Sequence, residues 1–208
     1  MKRLSFAIIA MLTCVTPGFT QNLTDGAGAE QRGDYTAALN IYMALADQGD
    51  AIAQSFVGNI HANGKGVPVD LALALKWYLI SAKNVEAPKQ FAQSGIEFAQ
   101  LQEQIAIMYF QGAGTPQSYE ESVKWDRLAA KNGNTQGQFN LGAKYYNGDG
   151  VERNFKLAYM WFEISELNEP GRGVKLRNKA GQQLTEADAR AAGKAALMCI
   201  QTNYEGCQ

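Results

Sequence analysis

The sequence predicts an all-α fold: a right-handed superhelical solenoid of antiparallel helix pairs with helical caps at both ends. Three observations lead to it. An eight-residue register recurs without gaps at 34–41, 70–77, 118–125 and 154–161, its starts 36, 48 and 36 residues apart. A second helical stretch follows each start, and 49–58 matches 133–142 position for position. Glycine doublets then close the units at Gly64/Gly66, Gly112/Gly114 and Gly148/Gly150. A supersecondary unit of this length cannot bury its apolar face alone, so repeats of it stack.

The first twenty residues precede the repeats. Lys2 and Arg3 open the chain, and 4–15 is apolar up to Thr16-Pro17-Gly18. That run suits the apolar core of a signal peptide and is shorter than the roughly 20 residues a spanning helix needs. Residues 1–20 are therefore expected to be cleaved, with the cut between Gly18 and Asn22, leaving an exported protein without a membrane span. Thr13 is a poor fit at the position before a lipid-bearing cysteine, so anchoring through Cys14 is not expected. Residues 21–33 form an N-terminal cap or linker, with 26–32 as a partial helix. Asn22-Leu23-Thr24 matches a glycosylation acceptor by pattern only and is expected to be disordered.

Each repeat start opens with Asp, Ser or Asn, whose side chains accept hydrogen bonds from the free amides of a first helical turn. A bulky residue stands at the second position and a small one (Ala38, Ala74, Ser122, Ala158) at the fifth. A large apolar one (Ile41, Trp77, Trp125, Trp161) stands at the eighth. This is one helical face with a notch where a neighbour approaches, so the three tryptophans and the alanines are expected in the core. Gly58 and Gly142 hold matching places on the second helices. In the loops, the first glycine fits a left-handed helix end and the second a close approach.

The second unit carries twelve extra residues, 85–96, between its two helices: a longer loop or a recognition feature. After the repeats, which extend over 34–170, residues 171–180 and 185–200 read as two further helices, the latter opened by Thr185 with Asp188 three residues on. They close the last apolar face, and 171–208 is the C-terminal cap. Once Cys14 leaves with the signal peptide, Cys199 and Cys207 remain, an even number in an oxidising compartment, and are expected to bridge across the turn 202–206.

The motifs Gly49-Asp50-Ala51-x-Ala53-Gln54, Val57-Gly58, Gly64-x-Gly66-Val67 and Asp70-x-x-x-Ala74-x-x-Trp77 resemble the Sel-one-like repeat (SLR) family, relatives of the tetratricopeptide repeat. The resemblance covers about residues 34–165. It implies a partner protein or peptide bound in a groove lined by the first helices.

Composition excludes several other chemistries. Lys+Arg is 19 against Asp+Glu at 20, with no basic stripe to follow phosphates, so nucleic acid is not an expected partner. One histidine and three cysteines do not make the common zinc sets, and no metal or cofactor is expected. His61 shares a register column with Tyr109 and Tyr145, which assigns it a stacking role, and no hydrolase motif accompanies it. The glycine doublets lack the lysine and spacing of a phosphate cradle. No acid–base pair is apparent, and no catalytic residue is assigned. The expected function is a non-enzymatic periplasmic or secreted scaffold or regulatory adaptor. The alternatives are a β-lactam-binding or hydrolysing enzyme, which the resemblance implies through the cysteine-rich members of that family, and a subunit of an envelope polysaccharide or secretion complex. Residues 21–198 hold no cysteine, which weighs against the enzyme.

Overall fold

A computed structural model describes residues 22–94 and 97–207, which form eleven α-helices and no strand. The expected signal peptide, its cleavage site and Cys14 lie outside the described residues. The helices are α1 (Leu23–Gln31), α2 (Tyr35–Ala46), α3 (Ala51–Asn63), α4 (Leu71–Lys83), α5 (Ala87–Ser94), α6 (Phe98–Gln111), α7 (Tyr119–Lys131), α8 (Thr135–Asn147), α9 (Phe155–Asn168), α10 (Val174–Gly181) and α11 (Glu186–Gln201). Pairs α2/α3, α4/α6, α7/α8 and α9/α10 stack in chain order, with α1 and α11 closing the ends.

Local chemistry fixes these boundaries. Asp34, Asp70, Ser118 and Asn154 each accept a hydrogen bond from the amide three residues on, at 2.9–3.2 Å. Asp50 and Asn134 do the same for the second helices α3 and α8. α6 is preceded by Glu97, which makes no such bond. Gly64, Gly112 and Gly148 end the second helices in left-handed geometry. The backbone amides of Asp70, Ser118 and Asn154 then return to the carbonyls of His61, Tyr109 and Tyr145, at 2.8–3.0 Å. That bond ties the end of one unit to the start of the next, and it uses His61 through its backbone.

The packing repeats as well, one position beyond the tryptophan column. The ninth residue of each register, counted from the capping residue, is almost wholly buried: Tyr42, Tyr78, Asp126 and Phe162, at 0–2% exposure. Tyr42 lies on Gly26, Tyr78 on Gly58 and Phe162 on Gly142. A Cβ built on Gly58 would stand 2.6 Å from the Tyr78 ring, and one on Gly142 2.9 Å from Phe162. The ring therefore occupies space that any other residue would fill. Gly114 and Gly150 work differently, with φ of +70° or more and backbone contact against Leu71 and Tyr119; Gly66 takes the same conformation against Tyr35.

The tryptophan column is not uniform. Trp161 is buried at 4% and Trp125 at 9%, but Trp77 is half-buried at the edge of the N-terminal cluster. The core position of that turn belongs to Tyr78, whose hydroxyl also donates to Asn59 Oδ1 at 2.7 Å. Ala38, Ala74 and Ala158 are fully buried.

Three further findings amend the sequence reading. The chain from Asn22 is ordered, because Asn22 and Asp25 cap α1 reciprocally, and α1 packs on α2 as the N-terminal lid. Part of the inserted segment is a helix, α5, which buries Ala87 and Phe91 against neighbouring helices; Phe91 meets Phe98 with ring centres 5.2 Å apart. α10 begins at Val174, because Glu166 accepts the amides of Gly171, Gly173 and Val174 at 2.9–3.1 Å and holds the chain in a turn. Those bonds hold the Glu166 carboxyl below the usual range.

Trp125 packs among Leu101, Ile105 and Met108 in the middle cluster. Trp125→Ala is expected to cost about 3–5 kcal/mol. Thermal unfolding checks it, and a melting temperature indistinguishable from wild type would show that the cluster does not depend on this side chain.

Candidate functional site

The first helices of the first three units leave one face uncovered, whereas in the fourth α11 packs on α9 and buries Met160, and the repeat register shows how the chemistry of these positions changes along the stack. At the seventh, tenth and fourteenth positions the first unit has Asn40, Met43 and Asp47. The second has Lys76, Leu79 and Lys83; the third has Lys124, Arg127 and Lys131; the fourth has Met160, Glu163 and Leu167. Cations thus concentrate on α4 and α7. Between them Ile80 is 39% exposed and Leu128 43%, both at the eleventh position.

Two cavities open on this face. One, of about 380 Å³, is lined by Lys76, Leu79, Ile80, Lys83 and Tyr109, with Gly114 and Thr115 of the adjoining loop. The other, of about 360 Å³, lies between α7, α8, α9 and the C-terminal tail, lined by Arg127, Lys131, Tyr145, Trp161, Tyr204 and Cys207 among others. They occupy equivalent places one unit apart: Lys83 corresponds to Lys131 and Tyr109 to Tyr145. The Arg127 guanidinium donates to the Tyr145 hydroxyl at 2.9 Å and lies 5.8 Å from the ring centre, so its direction is set. The second cavity owes its far wall to the tail. Cys199 and Cys207 form a disulfide with Cα atoms 5.4 Å apart, and Asn168 donates to the Tyr204 hydroxyl at 2.9 Å. The loop so held brings Tyr204, Gly206 and Cys207 over the groove.

A second polar feature lies behind this face. The third unit replaces the buried aromatic of the ninth column by Asp126, and places Lys144 where α3 and α6 have Ile60 and Met108. Ala106 stands in the register place of Gly58 and Gly142. The extra methyl of Ala106 and the smaller Asp126 compensate one another, and the long Lys144 side chain reaches in to the carboxylate. Lys144 and Asp126 form an ion pair, both side chains nearly inaccessible at 7% and 0%. The Lys144 ammonium also lies 4.9 Å from the centre of the Phe110 ring. Burial pushes the Asp126 carboxyl up to about 6, against the opposing pull of Lys144 and of Asn140. Glu103 nearby is raised too, chiefly by burial and then by Asp126, while Lys144 and Arg172 oppose the shift.

The site residues missed by the sequence reading are Lys76, Lys83, Arg127, Lys131 and Tyr204. A signal for the first four was present: an exposed column turning basic in two adjacent units. Tyr204 had none, because its place depends on how the tail folds back. His61 lines neither cavity, and among the described residues no cluster of His, Cys, Asp and Glu could hold a metal ion.

The Sel1 repeat model matches residues 51–84, 99–134 and 135–166. Among curated proteins, DAP3-binding cell death enhancer 1 of Rattus norvegicus is 29% identical over 168 residues, covering 66% of this chain and 32% of that protein. The chitin synthase regulator SKT5 of Saccharomyces cerevisiae is 28% identical over 152 residues, covering 71% of this chain and 20% of that protein. The chain spans about a third or less of the length of these relatives. Among solved structures, a Sel1 repeat protein from Oxalobacter formigenes superposes with a TM-score of 0.55 at 25% identity, covering 66% of this chain and 95% of that one. A protective antigen of uropathogenic Escherichia coli with an SLR fold gives 0.50 at 23% identity, covering 90% and 47%.

The buried ion pair yields a prediction with a defined sign. The Asp126 carboxyl titrates at about 6 in the fold against 3.8 ordinarily, so the folded chain binds the extra proton between those values. Stability from this group is present at low pH and lost as pH rises through that window, by at most about 3 kcal/mol. Replacing both charges in Asp126→Leu/Lys144→Met should remove this loss and leave the protein equally stable or more stable by about 1–4 kcal/mol at neutral pH. Urea unfolding of both proteins across the window tests it. A wild type that gains stability relative to the double variant as pH rises would refute the assignment.

Proposed function

This chain is a Sel1-like repeat protein, and from that premise we propose that it is an exported, non-enzymatic adaptor that holds a protein or peptide partner against the exposed face of α4 and α7. Sel1 repeats mediate protein–protein interaction, and two relatives carry partner-directed names, a DAP3-binding protein and a chitin synthase regulator. The observation that carries the reading is the pair of equivalent cavities on the uncovered first-helix face, with exposed Ile80 and Leu128 between flanking cations. Such a face binds by shape and side-chain complementarity. Export is supported by the basic start and apolar run of 4–15 and by the Cys199–Cys207 disulfide, a bond that persists in oxidising compartments. Among the described residues no helix is long and apolar enough to cross a membrane.

The likeness to a chitin synthase regulator favours a narrower form of the same reading, an accessory subunit of an envelope polysaccharide machine. The β-lactam reading gains no comparable support: the disulfide lies in the C-terminal cap, whereas the cysteine-rich members carry pairs within their repeats.

Affinity capture from a periplasmic extract, with partners identified by mass spectrometry, tests the proposal when run beside Ile80→Glu/Leu128→Glu. Both positions are exposed, so the variant should fold. A partner recovered by wild type and lost by the variant is expected; identical recoveries would place the binding surface elsewhere. Sequencing the N-terminus of the recovered protein checks export, and a chain still beginning at Met1 would exclude cleavage.

A further inference from the structure

The two groove cavities share an electrostatic character that goes further than a general docking face. Lys76 and Lys83 line one and Arg127 and Lys131 the other, and no Asp or Glu lines either. Among the described residues none of these four cations is paired with a carboxylate. Elsewhere on the same face the opposite holds. Lys124 is neutralised by Glu121 at 2.5 Å, and in the fourth unit Glu163 is bound by Arg177 at 2.7 Å. The chain thus leaves four positive charges unsatisfied, two per unit, each pair beside a tyrosine and aliphatic or tryptophan surface. The geometry points to an acidic peptide segment of the partner as the ligand of this face, with apolar side chains between its carboxylates. One of those carboxylates enters the Arg127/Lys131 cavity beneath the disulfide-held tail.

The chemistry follows from the groups present. Arg127 is held by Tyr145, so its remaining N–H groups are oriented before the ligand arrives, and a guanidinium in fixed orientation suits a planar carboxylate. Lys131, Lys83 and Lys76 are long, mobile ammonium groups that attract charge without fixing its geometry. Leu79, Ile80, Tyr109 and Trp161 supply apolar surface for the intervening side chains. Nucleic acid fits less well, since four cations on two helices make no continuous track for a phosphate backbone. The wall formed by Tyr204, Gly206 and Cys207 makes the second cavity the more enclosed, so it is the specific end of the groove.

This inference rests on the adaptor reading, and a probe peptide keeps their failures separate. Three fluorescein-labelled octapeptides are titrated against the oxidised full chain by anisotropy: alternating Glu and Leu, the near-isosteric Gln and Leu, and Lys and Leu. The Glu peptide should bind about tenfold or more tightly than the Gln peptide, the Lys peptide should not bind, and added salt should weaken the interaction. Lys76→Glu/Lys83→Glu and Arg127→Glu/Lys131→Glu should each lose about tenfold or more for the Glu peptide, with unchanged melting temperature. Cys199→Ser/Cys207→Ser frees the tail and should weaken the Glu peptide through the second cavity alone, so its effect should vanish in the Arg127→Glu/Lys131→Glu background. Equal binding of the Glu and Gln peptides, or binding of none, would overturn the acidic ligand. The adaptor reading would then still stand or fall on the captured partner and its loss in Ile80→Glu/Leu128→Glu.

Discussion

The stack depends on one contact: a large side chain at the ninth position of a repeat register seated on a residue of the preceding helix that has no side chain. Tyr42 on Gly26, Tyr78 on Gly58 and Phe162 on Gly142 are three instances. Removing the Cβ lets the helices come close enough for a ring to lie flat in the interface, and the ring fills the space this opens. Each half is unhelpful alone. A glycine inside a helix costs conformational entropy, and an exposed ring would remain in water. Their combination sets the spacing at which successive pairs meet, and hence where the uncovered face of α4 and α7 lies.

The third unit keeps the spacing by a different solution. Ala106 takes the glycine's place, a carboxylate takes the aromatic's, and a lysine from α8 fills the volume that remains. The carboxylate of this joint is buried, which is why its stability responds to mild acid. It lies behind Arg127 and Tyr145, so the most polar part of the interior backs the most enclosed part of the groove.

Much of the fold was legible because it repeats. A helix start capped by Asp, Ser or Asn, and a glycine doublet at a fixed offset, recur often enough to be read without a structure, and the SLR solenoid follows from them. What repetition marks less clearly is which of two adjacent aromatics faces inward: Trp77 stands out in the sequence, yet Tyr78 fills the core, one residue and about 100° further round the helix. The site was harder to read, because it consists of exposed side chains whose meaning lies in what they are not paired with. Tyr204 and the disulfide loop gain their place from the docking of α11 on α9, a contact between a repeat helix and one outside the repeats. α5 was equally hidden, since its burial of Phe91 is a property of three neighbours.

A column of buried amides runs through the second helices and gives α5 its significance. Asn132 donates to Gln102 at 2.7 Å and Asn168 to Gln138 at 2.9 Å, each bond bridging consecutive units. At the joint between the first two units the rung is missing. Asn84 donates instead to the Gly49 carbonyl at 2.8 Å, and Gln54 Oε1 is left buried without a partner. The Asn84 bond and that of the Ser81 hydroxyl to the Ala51 carbonyl, at 2.6 Å, still join these two units, each of which touches only its neighbours. The inserted helix spans that same joint. It packs on α3 on one side and on α4 and α6 on the other, and Gln90 accepts the Ala51 amide at 2.8 Å. Helix α5 therefore adds a second connection across the joint between the first two units, beside the direct packing of α4 on α3.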